Sequence, residues 1–183
     1  MSKYYNSTTG ELTSTAPWGN HYYDDDLKSE LYSEWSEVAD SYTPTVTLSE
    51  AQTAAITSLK SQAAEQYIAG FTSSATGTAL YYDSDTTTQS QITAASLLAV
   101  ASSTQFATLY PSGITIRAKA SSTADDSTKT KYAHTASQII TLSTDMQTML
   151  AAVKTKLWAY QESVYAATTA AAVETIMAAV SWS

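Results

Sequence analysis

The longest regular pattern of hydrophobic and polar positions in the chain lies between residues 135 and 166. Thr135 and Gln138 have the spacing of a capping box, which predicts that a helix begins near Thr135. The apolar side chains that follow recur every three or four residues, so they share one side of that helix. They are Ile139, Leu142, Met146, Met149, Val153, Leu157, Tyr160 and Val164.

The same reasoning predicts one helix earlier in the chain and one later. Thr47 and Glu50 have the spacing of a second capping box, and an apolar stripe continues from them to Gly70, which suits a helix C-terminus. After a short break, the apolar positions from 173 to 180 predict a final helix that ends at Trp182. Because the connection is short, we expect this helix to form an antiparallel hairpin with the long one.

A further helix and three strands are predicted between these elements. Thr86 and Gln89 have the spacing of a third capping box, and Asp85 is placed to help cap the same helix, which extends to about Ser103. A period of two marks residues 114–119 as a half-buried strand. The other strands are 78–83, and 128–133 as a hairpin partner. The fold class predicted is α+β, a small antiparallel sheet packed with helices that include a C-terminal hairpin.

The front of the chain follows a different pattern. Asn6, Gly10 and other turn residues separate a set of aromatic side chains, which predicts an extended N-terminal arm with a hairpin turn at residues 6–10. An arm of this length cannot bury its rings on itself, so they either fold onto the main domain or dock on another subunit. The candidate protein-binding residues are Tyr4, Tyr5, Trp18, Tyr22 and Tyr23.

An acidic stretch follows the aromatic residues. Asp24, Asp25 and Asp26 precede apolar positions spaced by four, four and three, which predicts a short amphipathic helix. Its apolar stripe is Leu27, Leu31, Trp35 and Val38. We therefore predict an interaction segment at residues 1–45, made of the arm and this acidic helix, followed by an α+β domain at residues 46–183.

Composition narrows the possible functions. The chain of 183 residues has the length of one domain, and without Cys it has no disulfide, no thiolate nucleophile and no cysteine metal site. A net charge of −8 disfavours nucleic acid and anionic lipid as partners. No apolar run is long enough to cross a membrane, and the N-terminus lacks the apolar core of a secretory signal. We expect a protein made in the cytoplasm, with no membrane partner.

Residues capable of chemistry are few. His21 lies near residues 24–26 as metal ligands do, but a solvated acidic helix start explains the same residues. His134 stands at a strand-to-helix junction, where a structural hydrogen bond is the usual role. Asp83 and Asp85 lack the later Gly and Glu that a calcium loop needs. We predict no enzyme activity, no metal site and no cofactor.

One basic cluster is predicted, provided that the two later strands pair. On an acidic molecule it indicates a solvated strand face, or a face that meets an acidic partner such as residues 24–37 of another copy, in preference to nucleic acid. The cluster consists of Arg117, Lys119, Lys129 and Lys131.

Two stretches resemble known phage proteins. The opening Tyr-Tyr-Asn-Ser-Thr-Thr-Gly at residues 4–10 resembles that of many bacteriophage tail-fibre assembly and tail-fibre-associated proteins. Residues 51–182 resemble a domain of unknown function found in phage tail-fibre and tail proteins. Its motifs occur here in order: Tyr-Asp-Ser-Asp at 82–85, a helix rich in Gln, Ala and Leu at 89–101, Thr-Ala-Ser-Gln at 135–138, and an Ala-rich end at 177–180. The Trp that usually precedes the strand pair is absent, and residues 106–110 stand in its place.

The resemblance implies a structural or assembly role in a phage tail and brings no catalytic residues with it. We expect a virion component at the tail fibre or at its attachment to the baseplate, in contact with other phage tail proteins as a homo- or hetero-oligomer. In that case the stripe of the long helix is available to be shared between copies. The alternative is a tail-fibre assembly chaperone that is not retained in the virion.

Overall fold

The structure is a computed structural model that describes residues 3–8, 12–13, 35–38 and 46–182. The chain forms two compact units, residues 1–47 and residues 48–183. The fold class is α+β as predicted, with antiparallel sheets and a set of helices in the described residues. No helix in those ranges is both long and apolar enough to span a membrane.

The described residues of the first unit form a three-stranded antiparallel sheet in the order β2-β1-β3. Its strands are β1 at Lys3–Asn6, β2 at Leu12–Thr13 and β3 at Trp35–Val38. Tyr5 lies opposite Leu12, so β1 and β2 form the predicted hairpin. At its turn the Asn6 side chain accepts the N–H of Thr8 at 2.8 Å, which is the local bond that favours Asn in turns.

The predicted acidic helix is wrong where the structure describes it. Trp35–Val38 is a strand that pairs along its whole length with β1, with Asn6 opposite Trp35 and Lys3 opposite Val38. Four residues are too few to distinguish the two periods, and pairing with β1 decides between them. The remaining stripe positions, Leu27 and Leu31, lie outside the described residues.

The second unit contains the larger sheet and the helices in its described part. The helices are α1 at Leu48–Ala69, α2 at Thr86–Ala101, α3 at Ser103–Leu109, α4 at Ala136–Ala166 and α5 at Ala170–Ala178. The sheet has the antiparallel order β4-β5-β6-β7. Its strands are β4 at Phe71–Ser73, β5 at Leu80–Tyr82, β6 at Ile114–Lys119 and β7 at Thr130–His134.

The long helix α4 begins as the sequence predicts. The Thr135 hydroxyl accepts the N–H of Gln138, and the Gln138 side chain accepts the N–H of Thr135 at 2.9 Å, which together make a capping box. Its apolar stripe is buried within this chain by two different sets of elements. The stripe is therefore used for intramolecular packing.

Two hydrophobic clusters divide the stripe between them. The first combines the sheet and α2 with the first half of α4, where Ile139, Leu142 and Met146 have no exposed surface. The second combines α1 and α5 with the last turns of α4, where Val164 is equally buried. Because α4 contributes to both clusters, it joins them into one body.

The C-terminal hairpin is also confirmed, with a shorter last helix than predicted. The helix α5 ends at Ala178, and Trp182 follows it as a separate contact. The Trp182 indole donates to the Gln62 side chain of α1 at 2.9 Å. The Tyr160 hydroxyl of α4 donates to the carbonyl of Ser181 and accepts its N–H, both at 2.9 Å. The end of the chain is thus fixed to two helices.

The strand β4 and the helix α3 were not predicted. The strand β4 has three residues, which is too few for a period of two to be recognised. The helix α3 has seven residues and buries Phe106 alone, so it carries no apolar stripe. By contrast, the predicted alternation in β6 is confirmed, since Ile114, Ile116 and Ala118 are buried.

Many helix hydroxyls bond to their own backbone. In each case a Thr or Ser side chain donates to the carbonyl four residues earlier, at 2.9 to 3.2 Å. These residues are Thr57, Thr108, Thr141, Thr144, Thr148, Ser163 and Thr175. The hydroxyl groups are therefore turned toward the helix backbone.

Two glycines with positive φ give a matched test of close backbone approach. Gly113 has a φ of 82°, and a Cβ built there would lie 2.7 Å from the carbonyl oxygen of His134. Gly77 has a φ of 90° with nothing within 4 Å. We expect Gly77→Ala to cost about 1 kcal/mol for the left-handed backbone, and Gly113→Ala to cost a further ~1–3 kcal/mol because backbone must move. Urea unfolding midpoints measure both losses, and equal losses would contradict this account.

Candidate functional site

The structure describes two of the five predicted protein-binding residues. Tyr4 and Tyr5 lie in β1, the central strand of the first sheet, where both side chains are half-buried. As neighbours in a strand they point to opposite faces, so they cannot form one aromatic patch. Trp18, Tyr22 and Tyr23 lie outside the described residues. Their role in protein binding stays a prediction.

Several polar contacts between different elements of the second unit meet at residues 82–85, which we call the junction segment. It leads from the end of β5 to the first residue of α2. Each of its four residues, Tyr82, Asp83, Ser84 and Asp85, contacts a different part of the fold. Together they form the Tyr-Asp-Ser-Asp motif of the sequence.

Tyr82 connects β5 to the end of β7. Its hydroxyl lies 3.0 Å from Nε2 of His134, and neither side chain has exposed surface. The Phe71 ring stacks on the other side, with ring centroids 5.7 Å apart. Burial raises the pKa of Tyr82, against a smaller lowering by a hydrogen bond from Thr76. Tyr82 therefore stays protonated and acts as a structural hydrogen-bond partner.

His134 has the structural role that its position predicts. Burial lowers the pKa of His134, and the backbone of Ile114 and Tyr132 opposes that shift in part. Its Nδ1 atom is buried without a hydrogen-bond partner in the described part of the chain. An imidazole in this setting is neutral, and protonating it would bury a charge that lacks an acidic partner.

Asp83 belongs to a chain of charges that ties the junction segment to the loop before β7. Its carboxylate lies 2.9 Å from Nζ of Lys129, which also contacts Asp126 at 3.0 Å. Asp126 in turn contacts Lys119 at 2.8 Å. The pKa of Lys129 is raised by Asp83 and then Asp126, and that of Asp126 is lowered chiefly by Lys119. Since Asp126 is largely exposed, water screens these pairs and each contributes little.

These ion pairs reduce the predicted basic cluster. Lys119 and Lys129 are largely shielded and neutralised, so they offer no free charge. Arg117 and Lys131 lie directly opposite each other across β6 and β7, and both are exposed. No carboxylate pairs with either of them in the described ranges. The basic surface on this sheet is therefore two side chains wide.

Ser84 holds the C-terminus of α1. Its hydroxyl accepts the N–H of Gly70 and donates to the carbonyl of Tyr67, both at 2.8 Å, and its side chain is fully buried. The carbonyl of Tyr67 is one of the groups that the C-terminus of a helix leaves without a partner. Gln89 from α2 adds a second donor to Tyr67 at 3.1 Å. The junction segment thus closes α1 by side-chain bonds from a distant part of the sequence.

Asp85 caps α2, as predicted, and the capping box expected from Thr86 is wrong. The Asp85 carboxylate accepts the N–H groups of Thr87 and Thr88 at 2.9 and 3.1 Å, so the helix begins one residue earlier. The Gln89 side chain is turned away to the carbonyls of Tyr67 and Ser84. Hydrogen bonds from Thr88 lower the pKa of Asp85. The carboxylate is therefore ionised in its capping role.

No group of three or more His, Asp or Glu that could hold a metal ion occurs among the residues described. His21 and Asp24 to Asp26 lie outside them. An open groove of about 650 Å³ between α1, α2 and α4 is lined by apolar, amide and hydroxyl side chains, with Lys154 as its charged residue. Such a groove offers surface for contact and no acid–base pair.

Two contacts were missed by sequence reasoning. Ser84 occupies the unspecified position of the Tyr-Asp-x-Asp motif, and nothing local predicts its bonds to Tyr67 and Gly70. Ser73 in β4 donates to the carboxylate of Asp145 in α4, although the two residues are 72 positions apart. A Ser next to the end of a predicted strand could have suggested a buried hydrogen bond. The sequence does not indicate which residue its partner is, because that depends on the tertiary structure.

Removing the Ser84 hydroxyl should weaken the fold. Ser84→Ala leaves the N–H of Gly70 without its buried partner, which costs about 1–3 kcal/mol. Ser90→Ala is the control, because Ser90 is exposed on α2 and its loss should change stability by less than about 0.5 kcal/mol. Urea titrations of both variants measure the difference. Equal midpoints for the two variants would rule out the proposed closure of α1.

His134 should make stability depend on pH. Because its pKa is lower in the folded chain than the ordinary value of 6.5, the unfolded chain binds the proton more readily. Stability is then fully present above that value and falls as the pH drops below it. Between about pH 7.5 and 5.5, wild-type stability should fall more steeply than that of His134→Phe, which cannot titrate. Parallel urea series test this, and identical slopes would contradict it; the carboxylate caps lose their charge only at lower pH.

Comparison with protein families, with curated proteins and with solved structures finds no match for this chain.

Proposed function

We propose that this chain is a structural component of a bacteriophage tail, at the tail fibre or at its attachment to the baseplate, and that it acts through protein–protein contacts. The observation that carries the proposal is the order of motifs across residues 51–182, which resembles that of a domain in phage tail proteins. The motifs at 82–85 and 135–138 both lie where a strand leads into a helix. Residues of the first cap α2, and residues of the second form the capping box of α4. Connections that are fixed by hydrogen bonds in this way suit a protein with a structural role.

The use of polar side chains supports contact in preference to chemistry. Asp85 caps a helix, Asp83 and Asp126 pair with lysines, and His134 is sealed in the core. None of these groups is presented with a second reactive group in a cleft of the described part. A protein that acts through binding surfaces does not need a pair of reactive groups in a cleft.

An assembly chaperone is the second candidate. The opening sequence at residues 4–10 resembles that of tail-fibre assembly proteins, and its described residues, 4–8, lie in β1 and in the turn that follows. A chaperone of this kind binds unassembled fibre ends and leaves before the particle is complete. It shares with the first candidate a dependence on protein contacts, and differs in whether the chain stays in the virion.

Mass spectrometry of purified virions should find the chain in fixed proportion to known tail proteins. The control is the lysate of the same infection, in which the chain must be detected whichever role it has. Disruption of the gene should give particles that lack fibres in electron micrographs, and expression of the chain in trans should restore them.

Each outcome separates the candidates. A chain that is abundant in the lysate and absent from virions, together with fibreless mutant particles, supports the chaperone. A mutant that makes complete, infectious tails and a chain that is absent from virions would exclude both tail roles.

A further inference from the structure

Charge is unevenly distributed between the two units and within the second one. Residues 48–183 contain nine acidic and seven basic residues, a net charge of −2, so the first unit carries −6 of the chain's −8. Four of those seven basic residues form the basic cluster on and next to β6 and β7. Asp83 and Asp126 pair with lysines of the cluster, which leaves two positive charges there. The basic cluster is therefore a positive area on a unit of the opposite sign.

The two remaining charges lie on the open side of the sheet. Arg117 of β6 is directly opposite Lys131 of β7, and both side chains are exposed. The alternate residues of β6 point to the other side and are buried in the first hydrophobic cluster. Next to the pair on the open side are Thr115 and Ala133, which are opposite each other and also exposed. Because both have short side chains, they do not cover the two cations.

The stability of the sheet does not account for this pair. Like charges that lie directly opposite each other on neighbouring strands destabilise a sheet. Lys119 and Lys129 share the carboxylate of Asp126, which reduces the repulsion between them. Among the residues that the structure describes, no carboxylate forms an ion pair with Arg117 or Lys131. An acidic group supplied by another molecule would relieve their repulsion.

The form of this site favours a protein as the source of the acidic group. Neither Arg117 nor Lys131 lines any of the three grooves described, and a flat surface holds a small anion weakly. Two cations are few for nucleic acid, which binds through a series of phosphates and is repelled by the acidic first unit. Two carboxylates on a protein surface match the pair in number and sign.

We propose that Arg117 and Lys131 form the contact site for an acidic segment of a different protein of the phage tail. The inference rests on the proposed function, because it names the chemistry of the surface that this chain meets. Arg117 binds one carboxylate through two parallel hydrogen bonds, and Lys131 binds a neighbouring carboxylate as a point charge. Since exposed ion pairs are screened by salt, the contact determines partner choice and association rate more than final affinity.

Binding of a labelled oligoglutamate peptide to the full chain tests the chemistry of the pair. Fluorescence anisotropy at low ionic strength should show binding of this peptide and no binding of an uncharged Ser-Gly peptide of the same length. The double substitution Arg117→Glu and Lys131→Glu should weaken binding by about tenfold, because two attractions become two repulsions. Both side chains are exposed, so we expect the fold to be retained, which circular dichroism checks.

The matched control is the double substitution Lys60→Glu and Lys154→Glu. These lysines are exposed on α1 and α4, and the control changes the net charge by the same amount. Its affinity for oligoglutamate should stay within about twofold of the wild type. Equal weakening in the two double variants overturns the inference. It is also overturned if the wild type does not bind oligoglutamate, or binds an oligothymidine of equal charge more tightly.

Particles made with the chain supplied in trans test whether the contact occurs in the tail. The variant with both Arg117→Glu and Lys131→Glu should fail to restore fibres, whereas the control variant restores them. Second-site changes that restore infectivity should replace acidic residues in another tail protein.

Two results from these variants would contradict the inference. Full restoration of fibres by the charge-reversed chain is the first. The second is a wild type that self-associates in light scattering when the charge-reversed variant does not, because a second copy would then occupy the site. A chain that is absent from virions and not needed for fibres removes the proposed function instead, and the peptide experiment then decides separately whether the pair binds acidic segments.

Discussion

Burial of one helical stripe holds the second unit together. The helix α4 has 31 residues, so it is about 46 Å long and reaches both hydrophobic clusters. Full burial of Ile139, Leu142 and Met146 contributes up to about 5–9 kcal/mol, which is comparable to the net stability of a typical domain. No polar contact in the described residues has that size. The sheet with α2, and α1 with α5, are therefore parts of one body because α4 passes through both.

The junction segment has a different task from the stripe. Its hydrogen bonds contribute about 1 kcal/mol each, far less than burial of the stripe, but they fix where the helices begin and end. Ser84 ends α1, Asp85 begins α2, and Tyr82 reaches His134 at the far end of the sheet. Hydrophobic burial alone permits several arrangements of these elements. The four residues of the junction segment favour one of these arrangements through their specific contacts. A short sequence motif therefore affects how several elements of the unit are placed.

Long patterns predicted the structure well, and short ones did not. The stripe and capping box of α4, the extent of α1 and the alternation of β6 are repeated over enough residues to have a single interpretation. Trp35–Val38 suited a helix and a strand equally, until pairing with β1 decided for the strand. The partners of Ser84 follow from tertiary structure and have no local signal.

The hydroxyls that bond to helix carbonyls change what the surface presents to water. When a threonine donates its hydroxyl hydrogen to the backbone, as Thr141, Thr144 and Thr148 do, that hydrogen is no longer available to water. A sequence rich in Ser and Thr thus overstates how strongly the helices are hydrated. Salts that are excluded from protein surfaces, such as sulfate, will drive such a molecule out of solution readily.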